Sequence, residues 1–208
     1  MPDRVPWLAV TAAEYEALMG PEGLDLFAPL SAAFAQVYRA ARPRRVLVLG
    51  CGTGAGLEHV DPVVTERVVG IDLNIQFLAV ARQRHHRLGA RLELYCADVR
   101  TADLPEGGFD LVHAALLAEY LDPAALTVVM ARAAAPGGTC GVVLRLPGWE
   151  PAEEAWPEEN VRGLAAATRL VDPAYLADLF AARGLGRAGA WEVTARGGRR
   201  LRASLFHR

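Results

Sequence analysis

Apolar positions along this chain follow two rhythms in alternation. From Leu24 onward, Leu26, Phe27, Leu30, Phe34, Val37, Tyr38 and Ala41 recur at helical spacing until Pro43 stops the pattern. Ahead of it, Thr11 to Glu14 has capping-box spacing and predicts a short helix ended by Gly20-Pro21. The rhythm then changes. "RVLVLG", 45–50, is a continuous apolar run rich in Val and Leu, as in a strand covered on both faces. Further strands are predicted over 67–73, 91–99, 109–115 and 139–146. Between them fall a helix over 74–89 capped by Asn74 and one capped by Asp122 with Pro123 in its first position. The Pro136-Gly137-Gly138 run stops the second. A helix is also expected straight after the glycines of 50–56, with His59 two turns into it. After a last Asp172-Pro173 helix closed at Gly184, two strands over 187–195 and 200–208 flank Gly197-Gly198, which suits a tight hairpin. Strands alternating with helices predict an α/β fold: a doubly wound, mostly parallel seven-stranded sheet, helices on both faces, closed by an antiparallel C-terminal hairpin.

Composition narrows the class. At 208 residues the chain suits one domain with a substantial core, 1–208, and its 52% apolar content is globular. It divides into an N-terminal helical cap, 1–42, and the α/β core, 43–208. No apolar stretch approaches a membrane span, and the first residues do not read as a secretory signal. Cys51, Cys96 and Cys140 are few and irregularly spaced, which favours a reducing cytoplasm and argues against a zinc site. Net charge is -2. All side-chain cations other than His are Arg, so Lys chemistry is excluded. No concentrated positive surface suggests a nucleic-acid partner, and either a monomer or a homodimer is compatible.

The densest signal is "VLVLGCGTGAG", 46–56. Four glycines directly behind an apolar strand read as a turn that a ligand must approach closely. The next strand ends in Asp72, about 20 residues beyond the glycines, the spacing expected of an acid that accepts hydrogen bonds from a ribose. An adenosine-containing ligand follows. The glycines alone also satisfy a dinucleotide fingerprint, so NAD(P) remains open on these residues.

The order of further segments resembles the class I S-adenosylmethionine (SAM)-dependent methyltransferases over nearly the whole chain. "VLVLGCGTG" is similar to their first motif, and "VVGIDLN" to the segment whose acid holds the ribose. "LYCADV" is similar to the adenine-binding segment, and "FDLVHAALLAEYL" to the fourth-strand motif that opens into the active site. "ARAAAPGGTCGVVL" resembles the stretch before their fifth strand, and the hairpin their reversed last strand. The resemblance implies a Rossmann-like fold, SAM as cofactor with S-adenosylhomocysteine (SAH) as product, and a small-molecule methyl acceptor. It implies cofactor contacts from Gly50, Cys51, Gly52, Thr53 and Gly54, from Asp72 and Leu73, from Asp98 and Val99, and from Ala114. Tyr15 on the first helix is either a cover for the cofactor or a core residue. The resemblance departs at Val48, where the family often carries an acid that helps place the methionine end of SAM. Alternatives are an NAD(P)-dependent oxidoreductase and a SAM-binding protein without transfer activity.

Glu119 and Tyr120, just past the fourth strand, are the candidates for an acceptor pocket. His113 sits inside a strand pattern and reads as core, and His59 reads as structural. His85 and His86 are adjacent on a helix and read as solvated. Arg196, Arg199, Arg200 and Arg202 read as a solvated hairpin tip. Trp149 and Trp156, in the Pro- and acid-rich stretch 147–161, suggest a substrate lid.

Overall fold

The computed structural model describes residues 6–104, 108–148, 163–164 and 167–208. Trp149, Trp156 and nearly all of the stretch expected as a lid lie outside the described residues.

Helix α1 (Ala12–Met19) starts where its capping box predicts. Thr11 Oγ1 accepts the Glu14 N–H, and the Glu14 carboxylate accepts the Thr11 N–H at 2.6 Å. Helix α2 (Phe27–Ala41) buries Leu30, Phe34 and Val37 and ends at Arg42. Seven strands follow in one sheet: β1 (Arg45–Leu49), β2 (Arg67–Asp72), β3 (Leu92–Cys96), β4 (Phe109–Ala115), β5 (Ala134–Arg145), β6 (Gly186–Thr194) and β7 (Arg200–His207). Their spatial order is β3-β2-β1-β4-β5-β7-β6. The first five are parallel; β7 runs antiparallel to both β5 and β6. Helix α3 (Ile75–Arg84) carries the Asn74 cap. Helices α4 (Pro123–Ala133) and α5 (Pro173–Ala181) each begin with Pro in the first position behind an Asp whose carboxylate accepts an N–H two residues on.

The period of two in the strands sorts the core. Val46, Val48, Leu111 and Val143 pack with α2, α3 and the N-terminal segment. Leu47, Leu49, Val112 and Val142 pack with α4 and α5 on the opposite face. The doubly wound arrangement expected from the alternation is therefore present. No described helix is long and apolar enough to cross a membrane.

Four local expectations are corrected. The glycine-rich turn does not lead into an α-helix; only a three-residue 3-10 turn, Leu57–His59, follows. Gly56 has φ +96°, and a Cβ there would lie 2.5 Å from Phe34 Cβ, so only glycine fits here, and Pro62 leaves room for no more than a turn. Helix α3 stops at Arg84, and a 3-10 segment broken at Gly89 (φ +54°) completes the stretch. The hairpin turns through a 3-10 step over Arg196–Gly198, not a two-residue turn. His85 is not solvated: it is 2% exposed, with its ring closed against the Gly54 backbone.

Candidate functional site

The carboxyl ends of β1, β2 and β4 open under α1 and α2 into a cavity of about 440 Å³. Open parallel sheets place ligands at this edge, where the strand order reverses on either side of β1.

Its floor is the glycine turn. Gly52 takes φ +53°, and a Cβ there would stand 2.7 Å from Tyr15 Oη. Only glycine permits both the conformation and the approach of that ring. The Gly52 N–H donates to Asp72 Oδ2 at 2.8 Å, and the Asn74 N–H donates to Asp72 Oδ1 at 2.9 Å. Asp72 thus braces the turn from the end of β2 while each carboxylate oxygen keeps a lone pair for a further donor. Burial raises its pKa, and the backbone N–H groups of Asn74, Gly52 and Leu73 oppose that shift.

The roof is aromatic. Tyr15 lies 4.5 Å from Phe77 and 5.9 Å from Trp7, and Trp7 meets Tyr120 edge-on at 5.1 Å, all between ring centroids. Burial pushes the hydroxyl pKa values of Tyr15 and Tyr120 up, so both are neutral donors. Polar ties hold this roof to the floor. Asn74 Nδ2 donates to the carbonyls of Trp7 (2.9 Å) and Val10 (2.7 Å). Arg84 bridges α1 and the turn, donating to Glu16 at 2.5 Å and to Thr53 Oγ1 at 3.0 Å.

At the β3 side, Asp98 and Val99 face the cavity, and Arg100 donates to the Asp98 carboxylate at 2.6 Å. That hydrogen bond holds Asp98 below its usual pKa. At the β4 side, Leu116 adopts the left-handed region (φ +57°) while its N–H donates to the Val143 carbonyl at 2.9 Å. This strained residue turns the chain so that Glu119 and Tyr120 return to the wall. Glu119 is 2% exposed and closed by Arg145: its Oε1 accepts the Arg145 N–H at 2.7 Å, and its Oε2 accepts from Nε. Burial raises the Glu119 pKa, against the pull of Arg145.

Of the residues expected at the site, Gly50, Cys51, Gly52, Asp72, Leu73, Asp98, Val99, Tyr15, Glu119 and Tyr120 all line this one cavity. Thr53, Gly54 and Ala114 do not. Thr53 turns away to Arg84, and Gly54 is closed by His85. Ala114 lies on the opposite face of β4, packed in the α4 and α5 core. His113 is buried as expected of a core residue, yet it is part of the cavity wall. Sequence reasoning missed Trp7, Phe77 and Arg145. The signal for Arg145 was a lone Arg inside the apolar run "GVVLRL", which needs a buried partner.

The fold is a Rossmann-like α/β sheet with a roofed cavity at its switch point. Residues 46–138 match the family model described as a methyltransferase domain. Through that match and its relatives the chain resembles the class I SAM-dependent methyltransferases. It is 36% identical over 108 residues to phosphatidylethanolamine N-methyltransferase of Cereibacter sphaeroides, covering 50% of this chain and 51% of that protein. It is 34% identical over 100 residues to ubiquinone biosynthesis O-methyltransferase of Idiomarina loihiensis, covering 46% of this chain and 40% of the relative. These matches span about half or less of the relatives' length. The N-methyltransferase NodS of Bradyrhizobium japonicum, solved in complex with SAH, superposes with TM-score 0.68 at 16% identity over 94% of this chain and 97% of that one. A SAM-dependent methyltransferase of Mesorhizobium loti gives 0.64 at 22% identity, over 89% and 100%. These two likenesses concern the fold.

Proposed function

We propose that the chain is a SAM-dependent methyltransferase acting on a small-molecule acceptor, with residues 1–208 serving as one catalytic domain. The observation that carries this reading is the braced pair of Asp72 and the Gly52 N–H at the lip of a roofed cavity. It fits the cofactor: a carboxylate with spare lone pairs suits ribose hydroxyls, and an aromatic and aliphatic wall suits an adenine and a thioether chain. The 3-10 turn after the glycines favours SAM over NAD(P). A pyrophosphate is held at a helix N-terminus, and none follows this turn. SAM carries no phosphate.

When bound, SAM supplies an electrophilic methyl group on a sulfonium. The chain's own task is to bind, orient and exclude water. Asp72 would hold the ribose. Leu73 and Val99 would flank the adenine, and Asp98 would take its exocyclic amine. Gly50, Cys51 and Gly52 would form the floor under the methionine arm. Backbone carbonyls there serve where Val48 offers no carboxylate. Tyr15 and Trp7 cover the site from water. Glu119 and Tyr120 shape the acceptor side. Glu119 is tied on both oxygens to Arg145, which suits a wall better than a mobile base. The relatives' names, which refer to phosphatidylethanolamine and to ubiquinone biosynthesis, support a small-molecule acceptor.

Calorimetry with SAM, SAH and NAD tests the cofactor: binding of NAD in preference to SAH refutes the reading. Transfer of labelled methyl from SAM to a metabolite extract tests the activity. Tight SAM binding with no labelled product would leave a non-catalytic SAM-binding protein.

A further inference from the structure

His113 projects from the middle of β4 on the α2 face of the sheet. Its neighbours in register are Val48 on β1 and Gly141 on β5. Phe34 of α2 packs edge-on against the ring at 5.1 Å between centroids. The residue is 2% exposed, and its Nδ1 has no hydrogen-bond partner among the described residues. Nδ1 is sealed over Gly141, where a Cβ would approach it to 3.1 Å. With Nδ1 sealed, Nε2 is the nitrogen left for a ligand in the cavity that the ring lines. Burial alone lowers the His113 pKa to about 4, and no charged side chain contributes to that shift, so the ring is neutral at physiological pH.

The surroundings say what kind of ligand. Leu30 lies one turn before Phe34 on the same buried side of α2, and with Leu18, Met19, Leu26 and Val48 it makes an apolar wall to the cavity that His113 also lines. Among the described residues of this wall, the charges Glu119 and Arg145 are paired with one another. An ionic acceptor would find no free complementary charge among these described residues.

Resting on the methyltransferase reading above, we propose that His113 holds the hydroxyl of the methyl acceptor, and that the acceptor is an uncharged, largely apolar alcohol or phenol whose hydrocarbon part fills the lobe under α1 and α2. During transfer the acceptor oxygen forms the new O–CH₃ bond. The S–CH₃ bond breaks with its electron pair left on sulfur, and the hydroxyl proton passes to the imidazole and then to water. The positive charge moves from sulfonium to imidazolium, so the buried net charge does not change as the bond forms. This makes a weakly basic ring adequate for the step.

The test uses the full chain saturated with SAH and a probe series of phenol, 4-propylphenol and 1-naphthol, against benzene, propylbenzene and naphthalene. Wild type should bind at least one phenol about three- to tenfold tighter than the matching hydrocarbon, the worth of one net hydrogen bond. His113→Leu should erase that preference and His113→Asn should restore part of it, while SAH affinity stays within about twofold in both. Labelled-methyl transfer from SAM to the best-bound phenol should fall about a hundredfold in His113→Leu. Equal affinity for phenols and hydrocarbons, tighter binding of phosphoethanolamine than of any phenol, or loss of SAH binding in both variants would overturn the assignment. Failure of the wild type to bind SAH at all would instead overturn the methyltransferase reading beneath it.

Discussion

Replacing Asp72 by Asn separates a bracing role seen in the structure from the ribose role proposed above. The side chain braces the glycine turn through the Gly52 N–H at 2.8 Å and the start of α3 through the Asn74 N–H at 2.9 Å. On the proposed reading it also accepts from a ribose. Asparagine keeps one acceptor oxygen and turns the other into a donor, which then faces a backbone N–H. Hydrogen bonds to a charged group contribute about 1.5–3 kcal/mol each, so losing one to the ribose should weaken binding by about 10- to 150-fold. A ligand-side cycle isolates that share. Calorimetry would compare adenosine and 2′,3′-dideoxyadenosine on wild type and on Asp72→Asn. If Asp72 holds the ribose, wild type prefers adenosine by at least tenfold and the variant nearly loses the preference. Suppose instead that the substitution weakens both ligands equally. Then Asp72 acts only by shaping the turn, and the ribose assignment is refuted.

Three further outcomes follow from the geometry. Gly52→Val should abolish SAH binding in titration, because its side chain would meet the Tyr15 hydroxyl at φ +53°; normal affinity would show that the roof yields. Arg145→Met should cost about 3–5 kcal/mol in urea unfolding by stranding buried Glu119, and adding Glu119→Leu should recover most of it. His113 is neutral when folded down to about pH 4 but protonates near 6.5 when unfolded. Its contribution is therefore complete above pH 6.5 and lost as the pH falls toward 4, roughly 3 kcal/mol in all. His113→Leu should flatten the stability profile in that window, and an unchanged slope there would place the titration elsewhere.

The sheet was legible because each central strand is a short apolar run bounded by turn residues, and because Asn74, Asp122 and Asp172 announce their helices. What escaped the sequence depends on contacts distant along the chain. "AGLEHV" reads as the start of a helix, yet Asp61-Pro62 closes it within a turn, and Phe34, more than 20 residues earlier, packs over Gly56. His85 looked like half of a solvated pair until the turn closed on it. Glu119 was legible as a conspicuous acid, but its partner lies 26 residues on, across the β4–β5 crossover. Ala114 is different. The period of two already places it opposite His113 and Ala115, so alternation alone could have moved it off the cavity face.

The place of β7 also sets the order in which the protein can be built. Its eight residues lie between β5 and β6, paired to β5 from Thr139↔His207 to Arg145↔Leu201. During synthesis strands β2 to β5 can assemble as they emerge, since each pairs with a neighbour already made. Strand β6 cannot: its pairing among the described residues is with β7, which is made after it. Until residues 200–207 are available, the nascent chain therefore exposes one flank of β5, including Val142 and Val143, together with the α2 surface that Leu201, Ala203 and Leu205 later help bury. That open edge is where a chaperone would bind or a second nascent chain would mispair, and it closes in a single late event.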